Sequence, residues 1–141
     1  MEKDWNRDLR DAGLRVTAGR VAVLSELDAH PHSGVTELAE AVRSRIGSTS
    51  LQAVYDTLSA LHRSGLIRRV EPAGQPPRYE IQHGDNHHHL MCRSCAAMFD
   101  VACSVGHSPC LSPSDARGFV VDEAEVIYWG LCAQCNESDE R

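Results

Sequence analysis

The chain has 141 residues, enough for one medium domain or two small ones, and with 42% hydrophobic and only 5% aromatic residues neither core can be large. A formal net charge of −6 argues against broad, non-specific affinity for nucleic acid, and no apolar run approaches the ~20 residues that a membrane-crossing helix needs. The charge is uneven: residues 1–82 carry 11 Lys/Arg against 11 Asp/Glu, whereas residues 83–141 carry 3 against 9, so a local DNA-binding face in the first part is not excluded. Met1 to Arg10 is charged and has no apolar signal segment, which gives the cytoplasm as the expected location. A reducing compartment favours zinc thiolates over disulfides.

In chain order, the first part reads as helices followed by a hairpin. Asp4 to Ala12 predicts a short amphipathic helix with Trp5 and Leu9 inward, ended near Gly13. Thr17 caps a second helix whose Val21, Leu24 and Leu27 recur at helical spacing, with Pro31 beyond its end. Val35, Leu38, Ala39 and Val42 form the stripe of a third helix that stops at Gly47. Ser48 and Ser50 open a fourth through Val54, Leu58 and Leu61, stopping before Gly65. Leu66 to Glu71 and Arg78 to Gln82 then read as two strands around Pro72, Gly74, Pro76 and Pro77. This order predicts a winged helix-turn-helix, in which a recognition helix enters the major groove and the wing follows the backbone. Gln52, Tyr55 and Asp56 lie on the outer, N-terminal part of the fourth helix. Gln52 can pair with adenine and the Tyr55 ring can pack on a thymine methyl. Arg15, Arg20, Arg68 and Arg69 are placed to contact phosphates. Each of these is otherwise ordinary solvated surface, and many winged helices bind proteins instead.

Turn chemistry at Gly84-Asp85-Asn86 predicts a hinge over residues 83–86, between a unit of residues 1–82 and one of residues 87–141. Past it, His87, His88 and His89 run directly into Leu90, Met91 and Cys92. As a strand, this stretch puts His87 and His89 on one face and His88 on the other. Two imidazoles on one rigid face make half of a metal site, and imidazole suits zinc, iron, copper and nickel alike. The pairs Cys92-x-x-Cys95 and Cys132-x-x-Cys135 each place two thiolates on a tight turn. Together they predict a closed, tetrahedral and therefore structural zinc site that staples the two ends of a small αβ unit. Two disulfides or separate redox motifs are the alternative use of such pairs. Cys103 reads as part of a Val101-to-Val105 strand, either inert or redox-active, and Cys110 reads as a redox candidate. The tail from Glu137 to Arg141 is expected to fray. The predicted class is α+β, an N-terminal winged helix-turn-helix plus a small C-terminal αβ unit held by zinc.

Four segments taken together, Gly13-Leu14-Arg15-Val16-Thr17-Ala18-Gly19-Arg20, Ala53-Val54-Tyr55-Asp56-Thr57-Leu58, His87-His88-His89-Leu90-Met91-Cys92-Arg93-Ser94-Cys95 and Cys132-x-x-Cys135, resemble the ferric uptake regulator family from about Leu9 to Cys135. Asn86 to Cys95 and Asp122 to Cys132 look most like actinobacterial members associated with catalase-peroxidase control. The resemblance implies a homodimeric, metal-dependent repressor, not an enzyme, that binds AT-rich palindromic DNA when metal-loaded. It implies structural zinc on Cys92, Cys95, Cys132 and Cys135. It also implies a regulatory metal, Fe(II) or Mn(II) and in purified samples Zn(II), on His32, Glu80, His87, His89 and Asp100. Tyr55 and Arg15 match DNA-contacting positions of the family. An aspartate at position 100 goes with peroxide sensing in the family, which points to control of oxidative-stress genes. Repression by iron or zinc availability is the alternative. Asp56 stands where many members carry arginine. The further metal site of some members finds only His88 and His107, with Asn86 and Ala124 at its other positions, and is not expected in full. From other classes, a metallohydrolase centre lacks a His-Glu-x-x-His helix or a nucleophile, and a metal-storage module predicts no sequence-specific DNA affinity.

Overall fold

The computed structural model describes residues 3–139, which fold as two compact units, one ending at His83 and the other beginning at Gly84. The first unit begins with α1 (Trp5–Asp11), whose N-cap Asp4 accepts from the Arg7 N–H at 3.1 Å. Thr17 does the same for Arg20 at the start of α2 (Ala18–Ala29). Gly34 opens α3 (Val35–Ile46), with its N–H donating to the Glu37 carboxylate at 2.6 Å. Gly47 ends that helix at φ 96°, a left-handed conformation that a side chain would strain. Ser50 caps α4 (Leu51–Arg63) through the Ala53 N–H at 3.0 Å. These caps satisfy backbone donors that the first turn of a helix leaves open.

The hairpin strands are shorter than the sequence predicts. β1 (Ile67–Val70) pairs antiparallel with β2 (Arg78–Ile81), in a register that sets Arg68 opposite Glu80. Prolines 72, 76 and 77 lie between the strands, where no ladder donor is needed. Leu9, Leu24, Leu27, Leu38, Leu58 and Leu61 form the fully buried centre, with Trp5, Tyr79 and Ile81 closing it against helix 1 and the hairpin. The predicted helical stripes thus converge on one core, and the unit is a winged helix-turn-helix.

The second unit is a three-stranded sheet of order β4-β3-β5 with one short helix. β3 (His87–Cys92) lies in the middle, antiparallel to β4 (Met98–Ala102) and parallel to β5 (Ile127–Gly130). Parallel pairing requires a long crossover, which residues 103–126 supply without helix or strand. Cys103 therefore falls just past β4 rather than inside a Val101-to-Val105 strand, because the ladder to β3 ends at the His87–Ala102 pair. α5 (Ala133–Asp139) follows β5, so the tail expected to fray from Glu137 is helical to Asp139. Glu140 and Arg141 lie outside the described residues. No described helix is long and apolar enough to cross a membrane.

Leu24 is fully buried at the meeting of the helices. Leu24→Ala should destabilise the first unit by about 2–5 kcal/mol in urea denaturation. The metal content of the second unit should stay unchanged; a loss under about 1 kcal/mol would refute tight packing there.

Candidate metal centres and nucleic-acid face

The four cysteines come together because β3 ends at Cys92 and β5 runs directly into Cys132, side by side in the sheet. Their sulfurs all lie within 4.8 Å of one another, and Cys95 Sγ and Cys132 Sγ are 3.7 Å apart. A tetrahedral zinc ion with Zn–S bonds of about 2.3 Å needs sulfurs about 3.8 Å apart, so the donor set fits that ion. The knuckle is closed by Cys92 N–H donating to Ala97 O at 2.9 Å and Ala96 N–H to Cys92 O at 3.0 Å. That turn forces Ala96 to φ 64°. Backbone N–H groups of Cys95 and Cys132 point at Cys92 Sγ from 3.5 and 3.3 Å. They stabilise its thiolate and lower the thiol to about 6. Cys135 is pushed up to about 12, first by its contact with the Cys132 sulfur. The crowded sulfurs therefore keep a proton on Cys135 until a cation takes its place.

Three imidazoles of β3 are buried, His87 at 6%, His88 at 4% and His89 at 0% exposure. Strand register puts Asp100 of β4 directly opposite His89. One carboxylate oxygen, Asp100 Oδ1, lies 3.4 Å from His89 Nε2 and 3.6 Å from His87 Nε2. Asp85 Oδ2 lies 3.1 Å from His87 Nδ1 on the other edge of the ring. A carboxylate there holds the Nδ1 proton and turns Nε2 toward the shared oxygen. The sequence marked Asp85 only as turn chemistry; the signal for its second role was a carboxylate two positions before a strand histidine. Two imidazoles and one carboxylate on one face are the donor set that non-haem iron(II) sites use with coordination positions left open.

In the first unit, His32 and Glu80 meet at 3.2 Å between Nε2 and Oε2. His32 is held at φ 69°, its N–H donating to Tyr79 O at 2.9 Å while Tyr79 N–H donates to Ser33 O at 3.0 Å. A left-handed histidine pinned to the strand before Glu80 is local strain kept by its surroundings. Exposed His30 stays outside this pair, its carbonyl accepting from Ser33 Oγ.

On the helix-turn-helix face, Tyr55 is 44% exposed, and exposed Gln52 donates its amide to Asp56 Oδ1 at 2.9 Å. That bond uses one of the two amide N–H donors of Gln52 and fixes the side chain along the helix surface. Arg15 is exposed, and Arg20 donates to the Arg15 carbonyl at 2.8 Å, bracing the loop before α2. The wing arginines differ from expectation. Arg69 is exposed beside Glu71, but the Arg68 side chain is only 12% exposed and lies 3.7 Å from Glu80, because strand alternation turns it the other way. Arg68 thus faces the carboxylate rather than a phosphate.

Comparison with known proteins places this geometry. A profile of the ferric uptake regulator family matches residues 11–128. The chain is 54% identical over 136 residues to the transcriptional regulator FurA of Mycobacterium tuberculosis, covering 96% of this chain and 92% of that one. It is 51% identical over 126 residues to ferric uptake regulation protein 1 of Mycolicibacterium fortuitum, covering 89% and 78%. The solved ferric uptake regulator of Helicobacter pylori shares the fold at a TM-score of 0.72 and 21% identity, covering 96% of this chain and 91% of that one.

The thiol pattern yields a pH test. With Cys92 titrating at about 6, zinc added to metal-free protein at pH 7 should release fewer than four protons per ion. The zinc affinity of the metal-free protein should fall more steeply with acidification below about 6, where protons compete for Cys92 as well as for the other thiols. Calorimetry in buffers of different ionisation enthalpy measures the proton count; four protons released would show that Cys92 is not pre-ionised.

Proposed function

Because this chain belongs to the ferric uptake regulator family, whose members are metal-dependent, DNA-binding transcriptional regulators and not enzymes, we propose that it is a peroxide-responsive repressor of oxidative-stress genes, such as one for a catalase-peroxidase. The observation that carries this reading is the convergence of His87, His89 and Asp100 on one face of the central sheet. Family membership sets aside the metallohydrolase and metal-storage readings.

The proposal assigns zinc to Cys92, Cys95, Cys132 and Cys135 as a structural ion. It assigns a regulatory Fe(II) or Mn(II) to His87, His89 and Asp100 together with His32 and Glu80. The proposal draws three donors from the second unit and two from the first, so one ion would fix the orientation of the units about residues 83–86 and keep one of the six positions these ions prefer for another ligand. In a homodimer that orientation sets the spacing of the two α4 helices, and so the fit to the half-sites of an AT-rich palindrome. By linkage, operator DNA tightens metal binding by the factor that metal tightens DNA binding. A second copy is accommodated on the sheet, where Leu90, Phe99 and Tyr128 pair in register on one face and are all exposed. Tyr55 with Gln52 reads bases, and Arg15, Arg20 and Arg69 contact phosphates.

Iron(II) held by these residues would promote oxygen transfer from hydrogen peroxide to an adjacent imidazole, the peroxide being reduced to water as the ring is oxidised. Oxidation of His87 or His89 removes a donor that the buried strand cannot replace, and the units lose their fixed orientation. Oxidation of Cys103 and Cys110 is a second route to the same release.

The test is fluorescence anisotropy on operator DNA from the chain's own promoter, with zinc-containing protein loaded anaerobically with Fe(II) at fixed salt. Peroxide should abolish specific binding of the Fe(II) form and spare the Mn(II) form. Loss in both forms would assign the response to the thiols. Binding that survives peroxide but disappears on chelation would make the protein a sensor of metal availability. His89→Ala should keep its zinc and its dimer yet lose metal-stimulated binding, and unchanged affinity would sink the orientation mechanism.

A further inference from the structure

The reverse face of β3 carries a donor cluster to which the regulatory reading assigns no metal. His88 points away from His87 and His89 and is 4% exposed. The crossover folds back over it. His88 Nε2 lies 3.0 Å from Cys110 Sγ, and one ligand atom each of His88, Cys103 and Cys110 lie within 4.8 Å of one another. His107, by contrast, is exposed on the loop, and its carbonyl accepts from Asn86 Nδ2 at 2.7 Å. We propose that His88, Cys103 and Cys110 form a third metal site, a two-thiolate, one-imidazole site for a thiophilic divalent cation, zinc foremost.

Donor chemistry and placement support this assignment. Thiolate with imidazole selects zinc over hard cations, and a three-donor set of this kind leaves one position for water or an outside ligand. Zinc–sulfur bonds of about 2.3 Å and zinc–nitrogen bonds of about 2.0 Å put tetrahedral donors about 3.5–3.8 Å apart, within the span of the cluster. Backbone N–H groups of Gly106 and Val105 lower the Cys103 thiol, whereas burial and the neighbouring Cys103 sulfur raise Cys110, so a cation must displace the Cys110 proton. The three residues come from the central strand, the end of β4 and the crossover. A cation there ties residues 103–110, which have no helix or strand of their own, to the strand that carries the regulatory histidines on its other face. Occupancy would make that strand answer to a soft metal independently of the hard-donor regulatory set. This holds whether or not the regulator senses peroxide.

Cobalt(II) distinguishes the sites, since the proposed regulatory donors are nitrogen and oxygen only. Reduced dimer carrying one zinc per chain in the cysteine quartet is titrated anaerobically with Co(II), after both remaining thiols are shown to be free by thiol titration. The expected result is a near-ultraviolet thiolate-to-cobalt charge-transfer band that saturates at one cobalt per chain. The double variant Cys103→Ser/Cys110→Ser should lose the band while keeping the quartet zinc. His89→Ala should retain the band, and His88→Gln should shift the accompanying visible envelope. No band in the wild type, or a band that survives the double substitution as quartet zinc is lost, would overturn the site.

Discussion

The second unit depends on one constraint: its central strand buries three imidazoles where an ordinary domain would bury aliphatic side chains. Burying a polar ring without partners costs about 1–3 kcal/mol, and among the described residues this unit buries only Met91, Met98 and Cys92 as apolar side chains. Asp85, Asp100 and Cys110 supply partners for those rings. The unit is thus organised by donor atoms rather than by oil. Its folding and its ligand chemistry cannot be separated, as expected of a small domain below the size at which a hydrophobic core suffices.

The strand's period of two then divides the labour. His87 and His89 face Asp100, while His88 and Leu90 face the crossover and the exposed aromatic face. A slip of one residue against β4 would exchange these roles, which is why the register matters more here than in a simple core strand. The same strand ends at Cys92 and lies parallel to β5, which leads to Cys132, so one edge of β3 aligns His89 with Asp100 while the other brings the two cysteine pairs together.

Strain is placed next to donors. His32 and Ala96 both adopt left-handed backbone conformations that cost non-glycine residues about 1–2 kcal/mol. One aims an imidazole at Glu80 and the other closes the knuckle around Cys92. The first unit can carry such strain because a continuous core of leucines and valines from four helices supports it. The acidic balance of residues 83–141 leaves the basic side chains of the helix-turn-helix face to govern any approach to DNA.

Sequence alone determined the winged helix, because helical apolar spacing, Thr17 and Ser50 caps and proline-bounded strands are local signals that the core later satisfied. It also singled out the candidate metal donors: Cys-x-x-Cys spacing and alternating histidines are short-range patterns whose geometry follows from a turn and a strand. Family-characteristic segments extended that reading to His32, Glu80 and Asp100. What only the tertiary structure decided is which side chains actually meet, whether from neighbouring positions or across long separations in the chain. Arg68 turns to Glu80 through the hairpin register, Gln52 is engaged by Asp56, and Asp85 orients His87. Cys103 and Cys110 converge on His88 because a crossover without periodicity folds back over the sheet. Periodicity reveals the face on which a side chain lies; the residue opposite it is fixed by register and by the path of the connecting chain, and no local pattern encodes either.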